Sequence, residues 1–143
     1  MNKKIISYLE SNHRKLLESY QERNAEFLIN NQLDTFSDFF YFMKNFGGDV
    51  DGKYGYMIDV VEDLIDIDNG ITYYMQINES MPKEYISLQN LEYEHYLLYN
   101  KMNNHVVYIE DANIKKTINN MFNKEWNSFD EFLIDFFEIP PLS

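Results

Sequence analysis

His95-Tyr96-Leu97-Leu98-Tyr99-Asn100-Lys101-Met102-Asn103-Asn104-His105-Val106-Val107-Tyr108-Ile109 is the stretch that decides the fold class. Two apolar runs, residues 95–99 and 105–109, are joined by Met102-Asn103-Asn104. Asparagine tolerates the positive φ that tight hairpin turns need, so the pattern predicts an antiparallel hairpin. Upstream, residues 85–88 read as a strand entered from Pro82. Ile71, Tyr73, Met75 and Ile77 alternate along the chain and predict another strand. Tyr54, Tyr56 and Ile58 occupy one face of a further strand, and residues 59–66 (DVVEDLID) read as a single helical turn.

Helical periodicity brackets this β-rich middle. Ile6, Leu9, His13, Leu16, Leu17 and Tyr20 share a stripe that predicts a helix over residues 3–30, with a break near Asn24. Phe36, Phe39, Phe40 and Met43 recur at i, i+3, i+4 and i+7, with Thr35 as the expected N-cap and Asp38 in the first turn. Gly47-Gly48 is expected to end that helix through a left-handed glycine. Toward the C-terminus, Ile114, Ile118, Met121 and Phe122 predict one helix. Ser128 and Glu131 then form a capping box ahead of Phe129, Phe132, Leu133, Phe136 and Phe137, with Pro140-Pro141 as the stop. The expected architecture is α+β: N-terminal helices, a central antiparallel sheet, and C-terminal amphipathic helices packed on it. With 143 residues, 45% apolar and 17% aromatic, residues 1–143 are expected to form one domain with an ample core.

Charge narrows the choice of partner. Twenty-four acids against twelve bases give a net charge of −12. Residues 1–24 carry +2, residues 25–70 carry −8 and residues 71–143 carry −6, so the middle is densest. Nucleic acid and anionic membranes repel such a surface, whereas a basic protein suits it. Acidity that serves only solubility is the bland alternative. No apolar run approaches the ~18 residues of a membrane helix, and Glu10 cuts short the apolar region after Lys3-Lys4, so a cytoplasmic protein is expected. Without cysteine there is neither a disulfide framework nor a zinc–thiolate site.

Most chemistry-bearing patterns fail on spacing. Asp49-Val50-Asp51-Gly52 starts like a calcium loop, but glycine falls at position four and Val60 stands where the loop needs glutamate. Asp66-Ile67-Asp68-Asn69-Gly70 fails likewise, with Ile77 at position twelve. His95 and His105, with Glu92 and Glu94, could face one another across the hairpin and hold a metal, but their spacing matches no ligand pattern. His13 reads as a core or boundary residue. There is no G-x-S-x-G and no phosphate-binding loop. An enzyme is not expected, and no cofactor or metal is implied.

What remains is a carboxylate cluster with aromatics inside it: Asp49, Asp51, Asp59, Glu62, Asp63, Asp66 and Asp68, with Tyr54 and Tyr56 among them. Acids can steer a basic partner and tyrosines can anchor it. The competing reading is a solvated loop face with its tyrosines turned into the core.

Three segments, taken in order, resemble the SUKH superfamily. The first is the run from Phe36 to Met57, an F-x-x-F-F helix, the step Asn45-Phe46-Gly47-Gly48, then a short strand. The second, Val106-Val107-Tyr108-Ile109-Glu110-Asp111, is similar to that family's penultimate strand. The third, Trp126-Asn127-Ser128-Phe129-Asp130-Glu131-Phe132-Leu133, is similar to its closing helix. The resemblance implies an α+β fold around an antiparallel sheet. It also implies a toxin-immunity role, in which the protein binds and neutralises a cognate toxin domain, frequently a nuclease. No catalytic residues carry over. The expectation is therefore an immunity protein whose residues 49–68 meet a basic toxin. The alternative is a non-catalytic regulatory or scaffolding module.

Overall fold

A computed structural model describes residues 1–140. It is an α+β fold built on a four-stranded antiparallel meander. In chain order the elements are α1 (Lys3–Asn12), α2 (Glu18–Asn30), α3 (Asp38–Asn45), β1 (Val50–Gly52), β2 (Gly55–Met57), α4 (Val60–Ile65), α5 (Ile71–Asn78), β3 (Tyr85–Ser87), β4 (Tyr96–Asn100), β5 (Val106–Ile109), a 3₁₀ turn (Ile114–Thr117), β6 (Lys124–Trp126) and α6 (Phe129–Phe136). β3, β4, β5 and β6 are neighbours in that order, and β1–β2 is a separate hairpin.

The expected hairpin is β4–β5, with Leu98 opposite Val107 and Tyr99 opposite Val106. Asn104 takes φ 66° in its turn, as the asparagine-rich loop predicts. The run Leu97-Leu98-Tyr99 does not alternate because both faces of the sheet are covered. Leu97 and Tyr99 enter the main core with α3 and α6, where Phe39 stacks on Tyr99 at 4.0 Å and meets Phe129 edge-on at 5.3 Å. Leu98, Val107 and Ile109 face the other way, against Met75 and Tyr85.

That second layer corrects one expectation. Residues 71–78 are a helix, not a strand. Thr72 and Met75, three apart, are the buried pair, while Ile77 is 78% exposed. Asp63 accepts hydrogen bonds from the Ile71 and Thr72 amides and so caps α5, whose own N-cap, Gly70, has no side chain to do it. The alternation of β-formers is overridden by packing and capping.

The N-terminal helix breaks at residues 13–17, not near Asn24. Asn24 is buried inside α2 and donates to the Met43 carbonyl at 3.0 Å, while the Leu16 amide donates to the Asn45 carbonyl at 2.8 Å. These bonds satisfy carbonyls at the C-terminus of α3 that the glycine motif was expected to serve. Neither Gly47 nor Gly48 has a positive φ. Gly47 is needed for space instead, since a Cβ there would lie 2.8 Å from the Met43 backbone. The N-cap of α3 is Ser37, not Thr35, and its hydroxyl accepts from the Phe40 amide at 3.1 Å. Phe36 falls outside the helix and is 94% exposed.

Residues 114–122 form only the 3₁₀ turn, leaving Ile118 and Met121 exposed, and the short strand β6 that follows was not expected. The closing helix is as expected: Ser128 accepts from the Glu131 amide, and Glu131 reaches back to the Asn127 amide. The expected stop was Pro140-Pro141; α6 already ends at Phe136, where Glu138 takes φ 52° and the Ile139 amide donates to the Ile134 carbonyl, and Pro141 lies outside the described residues. No helix among the described residues is long and apolar enough to cross a membrane.

Candidate functional site

The acidic segment divides between the β1–β2 hairpin and the α4–α5 pair. Asp59 caps α4 by accepting from the Glu62 amide at 3.2 Å, and Asp49 accepts from the Asp59 amide at 2.9 Å. Asp66 accepts from the Asn69 amide at 3.0 Å, which shapes the turn into α5. Glu62 receives Arg23 of α2 at 2.5 Å. The carboxylates thus have structural work of their own, and that work aims them.

Their common destination is an open groove of about 500 Å³. Asp49, Asp59, Glu62, Asp63 and Asp66 line it, and Ile58, Ile65 and Ile71 supply its apolar surface. Burial pushes the Asp63 carboxyl up, and backbone amides and Asp66 modify that shift. Asp59 is raised by burial as well, with Glu62 and Asp49 adding to it and Arg23 opposing. Each raised value means that the ionised form is held without full compensation, which a cation entering the groove would supply. Ile67 in the lead-in to α5, and Tyr74 and Ile77 on α5, are exposed apolar side chains outside the groove lining. An adjoining cleft shares Asp59 and Glu62 and adds Leu16, Tyr20 and Arg23.

The nine residues singled out in the sequence are therefore split. Five acids meet in the groove. Tyr56 does not line the groove; it lies beside Asp49, its phenol pushed up by burial and by that carboxylate, and its backbone amide donates to the Tyr93 hydroxyl at 2.7 Å. Asp51 faces a different cleft, with Tyr8, His13 and Phe137. Asp68 is exposed and makes no hydrogen bond or ion pair among the described residues. Tyr54 turns inward, packing on Trp126 at 5.2 Å and Tyr108 at 5.3 Å and donating to Asp135 at 2.7 Å.

His95 and His105 do not face one another. The register pairs Tyr96 with Ile109 and Tyr99 with Val106, which puts the histidines at opposite ends of the hairpin. His95 bonds Gln89 and His105 bonds Glu125. His13 sits at a boundary, 4.8 Å from the Phe137 ring, and partial burial lowers its pKa. Ile58 and Ile71 were read only as strand residues and Ile65 only as part of a helical turn, and nothing in their spacing shows that the three share a wall.

No family model matches this chain, and no curated protein or solved structure is similar to it at a significant level.

Proposed function

We propose that this chain is an immunity protein that binds a cognate toxin domain, a basic nuclease, and neutralises it by masking the active site or substrate groove. The observation that supports this reading is the meeting of five carboxylates with three isoleucines in one open groove. An enzyme that acts on nucleic acid presents Lys and Arg along the path of the phosphates, and this groove matches such a surface in charge. The acids would raise the association rate, and the isoleucines with Ile67 and Ile77 would slow dissociation. Tight inhibition corresponds to Kd near ~1 nM, about −12 kcal/mol. The SUKH resemblance of Phe36–Met57 and of the closing helix adds support. On this reading the protein acts in the cytoplasm.

The test is kinetic. Asp49→Asn, Glu62→Gln and Asp66→Asn, made together, keep the shape of the groove and remove three charges. The association rate with the captured toxin domain should fall about tenfold or more at low salt, and its salt dependence should flatten. An unchanged rate and salt slope would remove the groove from the interface.

A further inference from the structure

On the other side of the α4–α5 pair lies a second, more enclosed cavity of about 210 Å³, between α2, α5 and β3. We infer that it binds a small amphipathic monocarboxylate: an apolar tail in the cavity and the carboxylate at its mouth. Phe27, Leu33, Leu64, Tyr73 and Ile86 form an apolar lining from five different segments. Drug-sized ligands need ~300–1,000 Å³, so the volume limits the occupant to a short chain or a single ring.

Polar groups at the cavity have free capacity, and they favour an anion. Lys83 and Lys101 both line it, and neither enters an ion pair with any described residue. Two of the twelve bases of a chain with net charge −12 thus stand at one opening. Glu84 is close in the chain, and its carbonyl accepts from the Lys101 amide, but it does not line the cavity. Gln76 is half-buried, and its amide makes no hydrogen bond among the described residues. Thr72 is 1% exposed; its hydroxyl accepts from the Ser87 amide at 2.9 Å, and its own proton finds no acceptor among the described residues. Two ammonium groups, an uncommitted amide and a hydroxyl donor around an apolar chamber suit a carboxylate with a short hydrocarbon body. A cationic ligand would meet the lysines, and a neutral hydrocarbon would leave the polar groups unused.

The probe is octanoate, titrated into the intact protein by calorimetry with amide chemical shifts followed by NMR. Saturable binding is expected at one site, with shifts concentrated at Phe27, Tyr73, Gln76 and Ile86. Octanol should bind about tenfold more weakly, as loss of a charge-assisted contact implies. Lys83→Ala with Lys101→Ala should weaken octanoate about tenfold and leave the circular dichroism unchanged, because both side chains are exposed. Equal affinity for octanol, unchanged affinity in the double variant, or shifts outside these residues would overturn the assignment. No saturable binding of octanoate would overturn it as well.

Discussion

Replacing Asp135 by alanine should cut more stability than any other single surface carboxylate, because four donors from two elements converge on it and tie both to α6. Its Oδ2 receives Lys124 at 2.6 Å, Tyr54 at 2.7 Å and Trp126 Nε1 at 3.1 Å, and Oδ1 receives Lys53 at 3.1 Å. Lys53 and Tyr54 belong to the β1–β2 hairpin, Lys124 and Trp126 to β6, and Asp135 to α6. The two lysines are nearly half exposed, so each ion pair contributes about 0.5 kcal/mol. The Tyr54 and Trp126 bonds are shielded and end on a charge, so each contributes about 1.5 kcal/mol, and Trp126 keeps a donor with no replacement acceptor. Discounted for non-additivity, the loss is about 3 kcal/mol. For a chain of this length that is roughly a 10 °C fall in Tm.

The assay is thermal unfolding by circular dichroism at pH 7 for Asp135→Ala, Lys53→Ala and Lys124→Ala. The lysine variants should each lose no more than about 3 °C. The pH series gives a second reading. Despite partial burial, bonds from Lys124, Tyr54, Lys53 and Trp126 hold the Asp135 carboxyl far below its ordinary range. A depressed carboxyl stabilises the fold above the unfolded-state value of ~4 and loses that contribution as pH falls through its folded value. The gap between wild type and Asp135→Ala should therefore be full at neutral pH and narrow in strong acid. A fall under 3 °C at pH 7, or a gap independent of pH, would refute the reasoning.

Three further outcomes follow from the geometry. Gly52→Ala would place a Cβ 2.3 Å from the Phe136 ring, so the hairpin must shift, and urea unfolding should show a loss of about 1–3 kcal/mol. Ser128→Ala removes the hydroxyl that accepts from the Glu131 amide at 3.1 Å, and should cost about 1 kcal/mol by the same measurement. Because burial raises Asp59 and Asp63, both take up a proton at a higher pH than an ordinary carboxylate. Affinity for the basic partner should accordingly weaken as pH falls toward the carboxylate range, and at a higher pH than ordinary carboxylates would give; calorimetry that finds it constant down to that range would separate these acids from binding.

How far the fold could be read depended on where the information lay. The β4–β5 hairpin and α6 were legible because turn chemistry, a capping box and an apolar stripe agree within one short window. Residues 71–78 were not, since Ile71, Tyr73, Met75 and Ile77 alternate like a strand and only the distant Asp63 and the sheet face beneath Met75 select the helix. The same holds at Gly47-Gly48, where the carbonyls of Met43 and Asn45 in α3 are served by Asn24, nineteen residues upstream, and by the Leu16 amide, farther upstream still, not by local glycine geometry. β6 has only three residues, two of them charged, which suits an edge strand and leaves no periodicity to read. As for the site, the acids were visible as a cluster. Their division into a groove, a separate cleft and an exposed turn depends on tertiary placement, as does the inward turn of Tyr54 onto Asp135.

The most direct test of the central claim is capture from the native host's lysate with the tagged protein, run beside the Asp49→Asn, Glu62→Gln, Asp66→Asn variant at low and high salt. One basic toxin domain is expected at near 1:1 stoichiometry with the wild-type protein, sharply reduced with the variant. Equal recovery by both proteins, or recovery of no basic domain at either salt, would contradict the claim.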